Sequence, residues 1–201
     1  AKGKEKTIKS EELESTEEAL KVFRERNRSI LQSPQLQLEQ ERLSREVFDR
    51  DRVVSAAAKL VEAAGILGVP VLATEHNARV FGPTVKEIPV SAAIQKQIFS
   101  CFRVEEFQKA ASSLPGKQLV LAGLESHICV CQTALDAIAG GWQVHVVRDA
   151  CSSRTKENHE VGLRKMELGG AIPATVETVL FEWMERAGTD EFRKILPLIK
   201  S

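Results

Sequence analysis

Residues 118–147 read QLVLAGLESHICVCQTALDAIAGGWQVHVV and hold one complete cycle of an alternating chain. Gln118–Ala122 is a short apolar run of strand length, and six residues, 123–128, separate it from a helix expected over about 129–139. Gly140-Gly141 ends that helix, and Gln143–Val147 is a second apolar run. The same cycle repeats on either side. Upstream, Val53, Val54, Ala57, Leu60, Val61 and Ala64 recur at helical spacing, and Gly65 and Gly68 lead into a strand over 69–73. A helix over 105–114 passes through Pro115-Gly116 into the 118–122 strand. Downstream, a helix over 156–168 passes Gly169-Gly170 into a strand over 171–175, and helices over 177–187 and 189–199 follow. Short apolar strands alternating with amphipathic helices predict an α/β fold: a doubly wound, mostly parallel sheet with helices on both faces. Ligands of such sheets sit beyond the carboxyl ends of the strands, which directs attention to the loops after residues 73, 122, 147 and 175.

Composition narrows the classes of function. The chain has 201 residues, 43% of them hydrophobic, with 28 basic and 28 acidic side chains. That length supports a core able to enclose a small-molecule site. A balanced charge offers no field to gather nucleic acid or anionic membrane, so neither is an expected partner. No apolar run approaches the roughly 18–20 residues of a membrane span, and no secretory signal is visible, although the sequence begins without Met. Four cysteines without a CxxC pair and four scattered histidines predict neither a zinc site nor a disulfide framework. The expectation is a cytoplasmic protein with free thiols and no metal or cofactor.

The chain divides unequally. Of the first 52 residues 24 are charged, against 32 of the remaining 149. Residues 1–48 are read as a charged, helical segment and 49–201 as the α/β domain. Within the segment a helix is expected over about 10–27. Glu11, Glu12, Glu14, Glu17 and Glu18 precede Lys21, Arg24, Arg26 and Arg28, an order that complements the helix dipole, and Ser15 with Glu18 can form a capping box. Its apolar stripe of Leu13, Leu20 and Phe23 is thin, so the helix needs a partner surface.

Cys129 falls where strand and loop hand over to helix. A thiol in the first turn meets unpaired backbone N–H groups and the positive end of the dipole, which favour the thiolate. The same N–H groups can hold a developing oxyanion. Cys131 points elsewhere around the helix, and Cys101 and Cys151 have no comparable placement.

Several segments together resemble the isochorismatase-like cysteine hydrolases, in particular the isochorismatase-domain-containing proteins. They are Val69-Pro70-Val71 with Thr74-Glu75-His76, Gly82-Pro83-Thr84 with Glu87, and Lys96 with Phe99-Ser100. The residues 123–136, Val144–Val147 and Asp149-Ala150-Cys151-Ser152-Ser153-Arg154 continue the series. The resemblance covers roughly residues 49–198 and implies a six-stranded, doubly wound sheet in a homo-oligomer. It implies that Cys129 is a nucleophile attacking a carbonyl carbon and that Lys96 supplies a cation lowering the thiol pKa. It also implies a non-proline cis peptide at Leu124–Glu125, aiming backbone N–H groups at the oxyanion. His76, Phe99 and His127 are expected to line the pocket. The Asp/His metal cluster of nicotinamidase-type relatives has no counterpart over 74–100, so no metal is expected.

The sequence departs from the family at its proton-transfer aspartate, which ends the first strand. Aligned through Leu36-Gln37, that position holds Gln35, and an amide is no general base. The surrounding run, residues 29–37, is a poor central strand because Pro34 lacks a ladder donor. Either a distorted strand persists with Gln35 in the pocket and the sheet has six strands, or Ser33 caps a helix begun by Pro34 and the sheet has five. Glu39, Glu41 and Asp49 are the carboxylates available as substitutes. Two functions remain open: a hydrolase of small amides, esters or related molecules, with activity impaired by the missing aspartate, or an inactive family member kept as a ligand-binding or assembly module. A carboxylate within reach of both Cys129 and Lys96 is what the first requires.

Overall fold

The structure, a computed structural model, describes residues 47–114 and 116–200. The expectations for the helix over 10–27, for residues 29–37 with Gln35, and for Glu39 and Glu41 lie outside the described residues.

Helix α1 (Arg50–Leu67) leads to β1 (Ala73–His76), the short α2 (Ala78–Phe81) and β2 (Ala93–Lys96). A 3-10 turn (Cys101–Arg103) and α3 (Glu105–Ser112) precede β3 (Gln118–Leu124). A π-helical turn (Ser126–Val130) opens α4 (Cys131–Ala139), followed by β4 (Gln143–Ser152), α5 (Lys156–Leu168), β5 (Ile172–Ala174), α6 (Val176–Met184) and α7 (Asp190–Lys200). All strand pairs are parallel: β1 with β2 in one sheet, and β3-β4-β5 in order in the other.

Helices cover both faces of the three-stranded sheet, as the alternation predicts. Val147 and Ala150 of β4 join Leu60 and Ala63 of α1, Val179 and Leu180 of α6 and Ile195 of α7 in one core. Val144 and Val146 point to the opposite face, packing with Ala134 and Ala137 of α4 and Leu163 and Met166 of α5. From Val144 to Val147 this is the period-two pattern of a strand buried on both faces; past the register shift the phase changes, with Ala150 in the first core and Cys151 in the second.

Two expectations are corrected. The first apolar strand begins at Ala73 rather than Val69, since Pro70 offers no N–H and Val71 is 46% exposed. The helical turns of the cysteine segment begin at Ser126 rather than at Cys129. Glu125 O accepts from both Ile128 N (3.0 Å) and Val130 N (3.2 Å), which winds the chain three residues earlier.

Candidate active site

Parallel pairing builds the site from two strand ends. The β1–β2 register sets His76 opposite Lys96 at the carboxyl ends of both strands. Lys96 is 7% exposed, and its ammonium donates to the carbonyls of Phe99 (2.9 Å) and Ile98 (3.2 Å). The Phe99 ring then stacks on His76, with centroids 5.3 Å apart and planes at 23°, and Phe81 lies on the same imidazole at 5.8 Å. His76 Nδ1 is buried and has no hydrogen-bond partner. Burial holds this imidazole below the ordinary histidine pKa, and the neighbouring Lys96 charge adds to the effect, so both favour its neutral form.

The second sheet contributes the thiol. The β3–β4 register shifts where Leu121 pairs with Val146 and Gly123 with Cys151, so the extra residues of the bulge lie in β4; opposite them Gly123 takes φ +133°, a conformation that L side chains rarely adopt. Beyond this bulge the π-helical turn delivers Cys129 at the head of α4. Burial pushes the Cys129 thiol above its ordinary pKa; the Lys96 charge beside it pulls down, while Cys101 and Glu125 push up. Lys96 thus acts on Cys129 in the expected direction, but the net shift is upward because desolvation outweighs it.

The turn itself is anchored. Ser126, fully buried, shares a 2.9 Å hydrogen bond with His159 Nδ1 of α5. His127 Nδ1 lies 2.9 Å from Ser153 Oγ and 3.3 Å from Glu125 Oε2, so His127 is held as a hydrogen-bonded loop residue. Glu125 also meets Arg154 through its Nε (3.4 Å) and backbone N–H (3.3 Å). Gly162 of α5 lets helix and turn meet: a Cβ there would lie 2.7 Å from His127 N and 2.8 Å from Ser126 C.

The expected cis bond at Leu124–Glu125 is not present. No cis peptide occurs among the described residues, and Leu124 stays in the β3 ladder opposite Ser152 while Glu125 continues extended at φ −75°, ψ 120°. Asp49 is not brought to the site either, because its carboxylate binds Arg52 Nε at 2.6 Å before α1. Among the described residues no carboxylate pairs with Lys96 within 4.0 Å; the carboxylate whose charge reaches Cys129 is Glu125. No group of three or more potential metal ligands is assembled among them. No helix among them is long and apolar enough to cross a membrane.

Phe81, Ser126, Ser153, His159 and Gly162 were not singled out by sequence reasoning. Ser126 and Ser153 lay within segments of the family resemblance; Phe81, His159 and Gly162 become visible only when strand register and helix docking bring them together.

A family model for the isochorismatase domain matches residues 30–178. Isochorismatase domain-containing protein 2 of Rattus norvegicus is 36% identical over 162 residues, 80% of this chain and 77% of its own. Among solved structures, a MAR1 ribonuclease from Caenorhabditis elegans superposes with a TM-score of 0.73 at 27% identity, covering 79% of this chain and 83% of that one. The Escherichia coli YcaC gene product, described as an octameric hydrolase of unknown specificity, gives a TM-score of 0.68 at 25% identity, with 78% of each chain covered.

Proposed function

The chain belongs to the isochorismatase family, and from that premise we propose that it is a cysteine hydrolase of small amides, esters or related acyl compounds. Cys129 is the nucleophile and Lys96 the cation beside it. The observation that carries this reading is a thiol at the head of α4 with a buried ammonium next to it. In the first step the thiol proton passes to the leaving group, sulfur bonds to the acyl carbon, and an amine or alcohol departs. Water then cleaves the thioester, releasing the acid and restoring the thiol. Lys96 steadies the thiolate and the charge developing on the carbonyl oxygen.

The raised thiol pKa means that the first step needs a base. The family places an aspartate where this chain has Gln35, so Gln35→Asp is expected to raise hydrolysis; an unchanged rate would remove residue 35 from the pocket. The second reading, an inactive binding or assembly module, is favoured by the lack of a carboxylate on Lys96 among the described residues.

The deciding experiment combines iodoacetamide alkylation of each cysteine across about pH 5–9 with p-nitrophenyl acetate hydrolysis by the wild type and Cys129→Ala. Selective reaction at Cys129, with hydrolysis lost in the variant, supports the enzyme. Equal hydrolysis by both proteins overturns it.

The octameric neighbour supports a homo-oligomer for this chain as well, which light scattering would test. The ribonuclease activity named for the nematode protein is not carried over, since the charge is balanced and the site's lysine is buried. Four free cysteines, three of them buried, suit a reducing, cytoplasmic setting.

A further inference from the structure

We propose that Cys129 and Cys101 form a reversible oxidation site, in which Cys129 takes up a low-molecular-weight disulfide and Cys101 resolves the adduct into a Cys101–Cys129 bond that switches the site off. This rests on the reading of Cys129 as the reacting thiol beside Lys96 and adds its regulation.

Two routes through the fold bring Cys101 to the Cys129 turn. The first runs through Lys96, whose ammonium donates to the carbonyls of Phe99 (2.9 Å) and Ile98 (3.2 Å). Those bonds fold the loop back on the lysine, and Cys101 opens the 3-10 turn two residues later. The same lysine acts on Cys129 by charge and by hydrogen bonding. The second route runs through α4. The Cys101 backbone N–H donates to Thr133 Oγ1 at 3.0 Å, a buried bond. Thr133 follows Cys129 by four residues, so their side chains leave one face of the same helical stretch about a turn apart. Cys101 is also the one cysteine whose charge is felt at Cys129.

The remaining thiols are engaged elsewhere. Cys131 is buried in the core with Val144, Leu163 and Met166. Cys151 is fully buried and donates to the carbonyl of Leu121 at 3.9 Å. Cys129 is half-buried whereas the other three are buried, so a reagent in solution meets Cys129 first. Cys101 Sγ lies 3.4 Å from Thr74 Oγ1, a hydroxyl able to donate to its thiolate as it attacks.

With glutathione disulfide as the oxidant, atoms and electrons balance. The Cys129 thiolate bonds to one glutathione sulfur, the S–S bond breaks, and the other glutathione leaves with the proton that Cys129 gave up. Cys101 then loses its proton and bonds to the Cys129 sulfur, and the first glutathione departs carrying that proton. Two protein thiols are oxidised to one disulfide, and one glutathione disulfide is reduced to two thiols. Cys129 has no thiolate left to offer a carbonyl carbon until a thiol reductant reverses both steps. In a reducing setting such a bond is transient, as a switch requires.

The test exposes the reduced full chain to glutathione disulfide at about 1 mM, blocks the remaining thiols under denaturant, and maps the unreduced peptides by mass spectrometry. The wild type is expected to give a Cys101–Cys129 cross-linked peptide and an intact mass lower by two hydrogens. Cys101→Ser and Cys101→Ala are expected to stop at a glutathione adduct on Cys129, and Cys129→Ser to give neither product. Melting curves of the reduced variants show that each is folded. Hydrolysis of p-nitrophenyl acetate should fall at least about tenfold as the cross-link completes and return with dithiothreitol.

A wild type without the cross-link, with or without an adduct, overturns the proposal, because the two sulfurs then do not reach bridging geometry. A cross-link from Cys129 to Cys131 or Cys151 overturns it equally. The cross-link is read by mass and is independent of hydrolysis. A protein that cross-links but never hydrolyses refutes the hydrolase reading alone, and one that hydrolyses without cross-linking refutes the switch alone.

Discussion

Replacing Gly162 by alanine tests whether the docking of α5 sets the position of the Cys129 turn. In an unobstructed helix the change is favourable by about 0.5–1 kcal/mol, because alanine loses less backbone entropy on folding. Here the added Cβ would meet His127 N at 2.7 Å and both His127 Cα and Ser126 C at 2.8 Å, well short of the 3.4–4 Å of ordinary contact. All three are backbone atoms, so no side-chain rotation relieves the overlap. Either α5 withdraws, stretching the 2.9 Å Ser126–His159 bond one helical turn away, or the π-helical turn moves. Overpacking of this kind costs about 1–3 kcal/mol, and rigid backbone on the far side argues for the upper end. The net expectation is a loss of about 2 kcal/mol, a fall of about 4–8 °C in melting temperature for a domain of this size. Thermal unfolding followed by circular dichroism reads the stability, and Cys129-resolved alkylation reads the turn. A melting temperature that rises, with Cys129 reactivity unchanged, would refute the reasoning.

Other perturbations follow from the same geometry. The Lys96 charge opposes burial at Cys129, so Lys96→Ala should move the thiol pKa further up; each unit costs about tenfold in thiolate at neutral pH. Alkylation of Cys129 at fixed pH should therefore slow, with Lys96→Arg recovering part of the rate, and an unchanged rate would separate the two residues. Cys151 is fully buried and its pKa is pushed up to about 12, so it should resist iodoacetamide in the native protein at about pH 9 and react once denaturant is added. Burial, followed by the charges of Arg52 and Arg148, holds the His159 pKa below its ordinary 6.5, with Glu160 opposing. Unfolded protein then binds the proton more readily, so the stability tied to His159 is complete above about pH 6.5 and is lost as the pH falls toward the lowered folded value. Melts at about pH 7.5 and pH 5 should show a smaller acid loss in His159→Gln than in the wild type.

The parts of the fold legible in the sequence are those where local pattern and global architecture agree. Val144, Val146 and Val147 divide between two cores because alternate positions of β4 face opposite helix layers, and the apolar run 143–147 already implies burial on both sides. β2 was missed because Ala93–Lys96 carries a single large aliphatic side chain and looks like loop. The site was legible in identity rather than in assembly. Cys129 could be placed near a helix start, but Lys96 was found only through family resemblance, since nothing in its local spacing distinguishes it from a solvated lysine. What buries Lys96 and turns it toward the thiol is tertiary: pairing with β1, two carbonyls in the following loop, and the neighbouring strand end. The features that local rules could not foresee also collect there. Gly123 at φ +133°, the π-helical turn, the 2.7 Å approach at Gly162 and the orphaned His76 nitrogen each set aside an ordinary preference. Exceptions also lie elsewhere, a positive φ at Asp49 and Glu185 and Pro197 inside α7, but these four gather around the strand ends and the turn that carry Lys96 and Cys129. Their convergence around Cys129 is the reason to look there for function, beyond the family likeness.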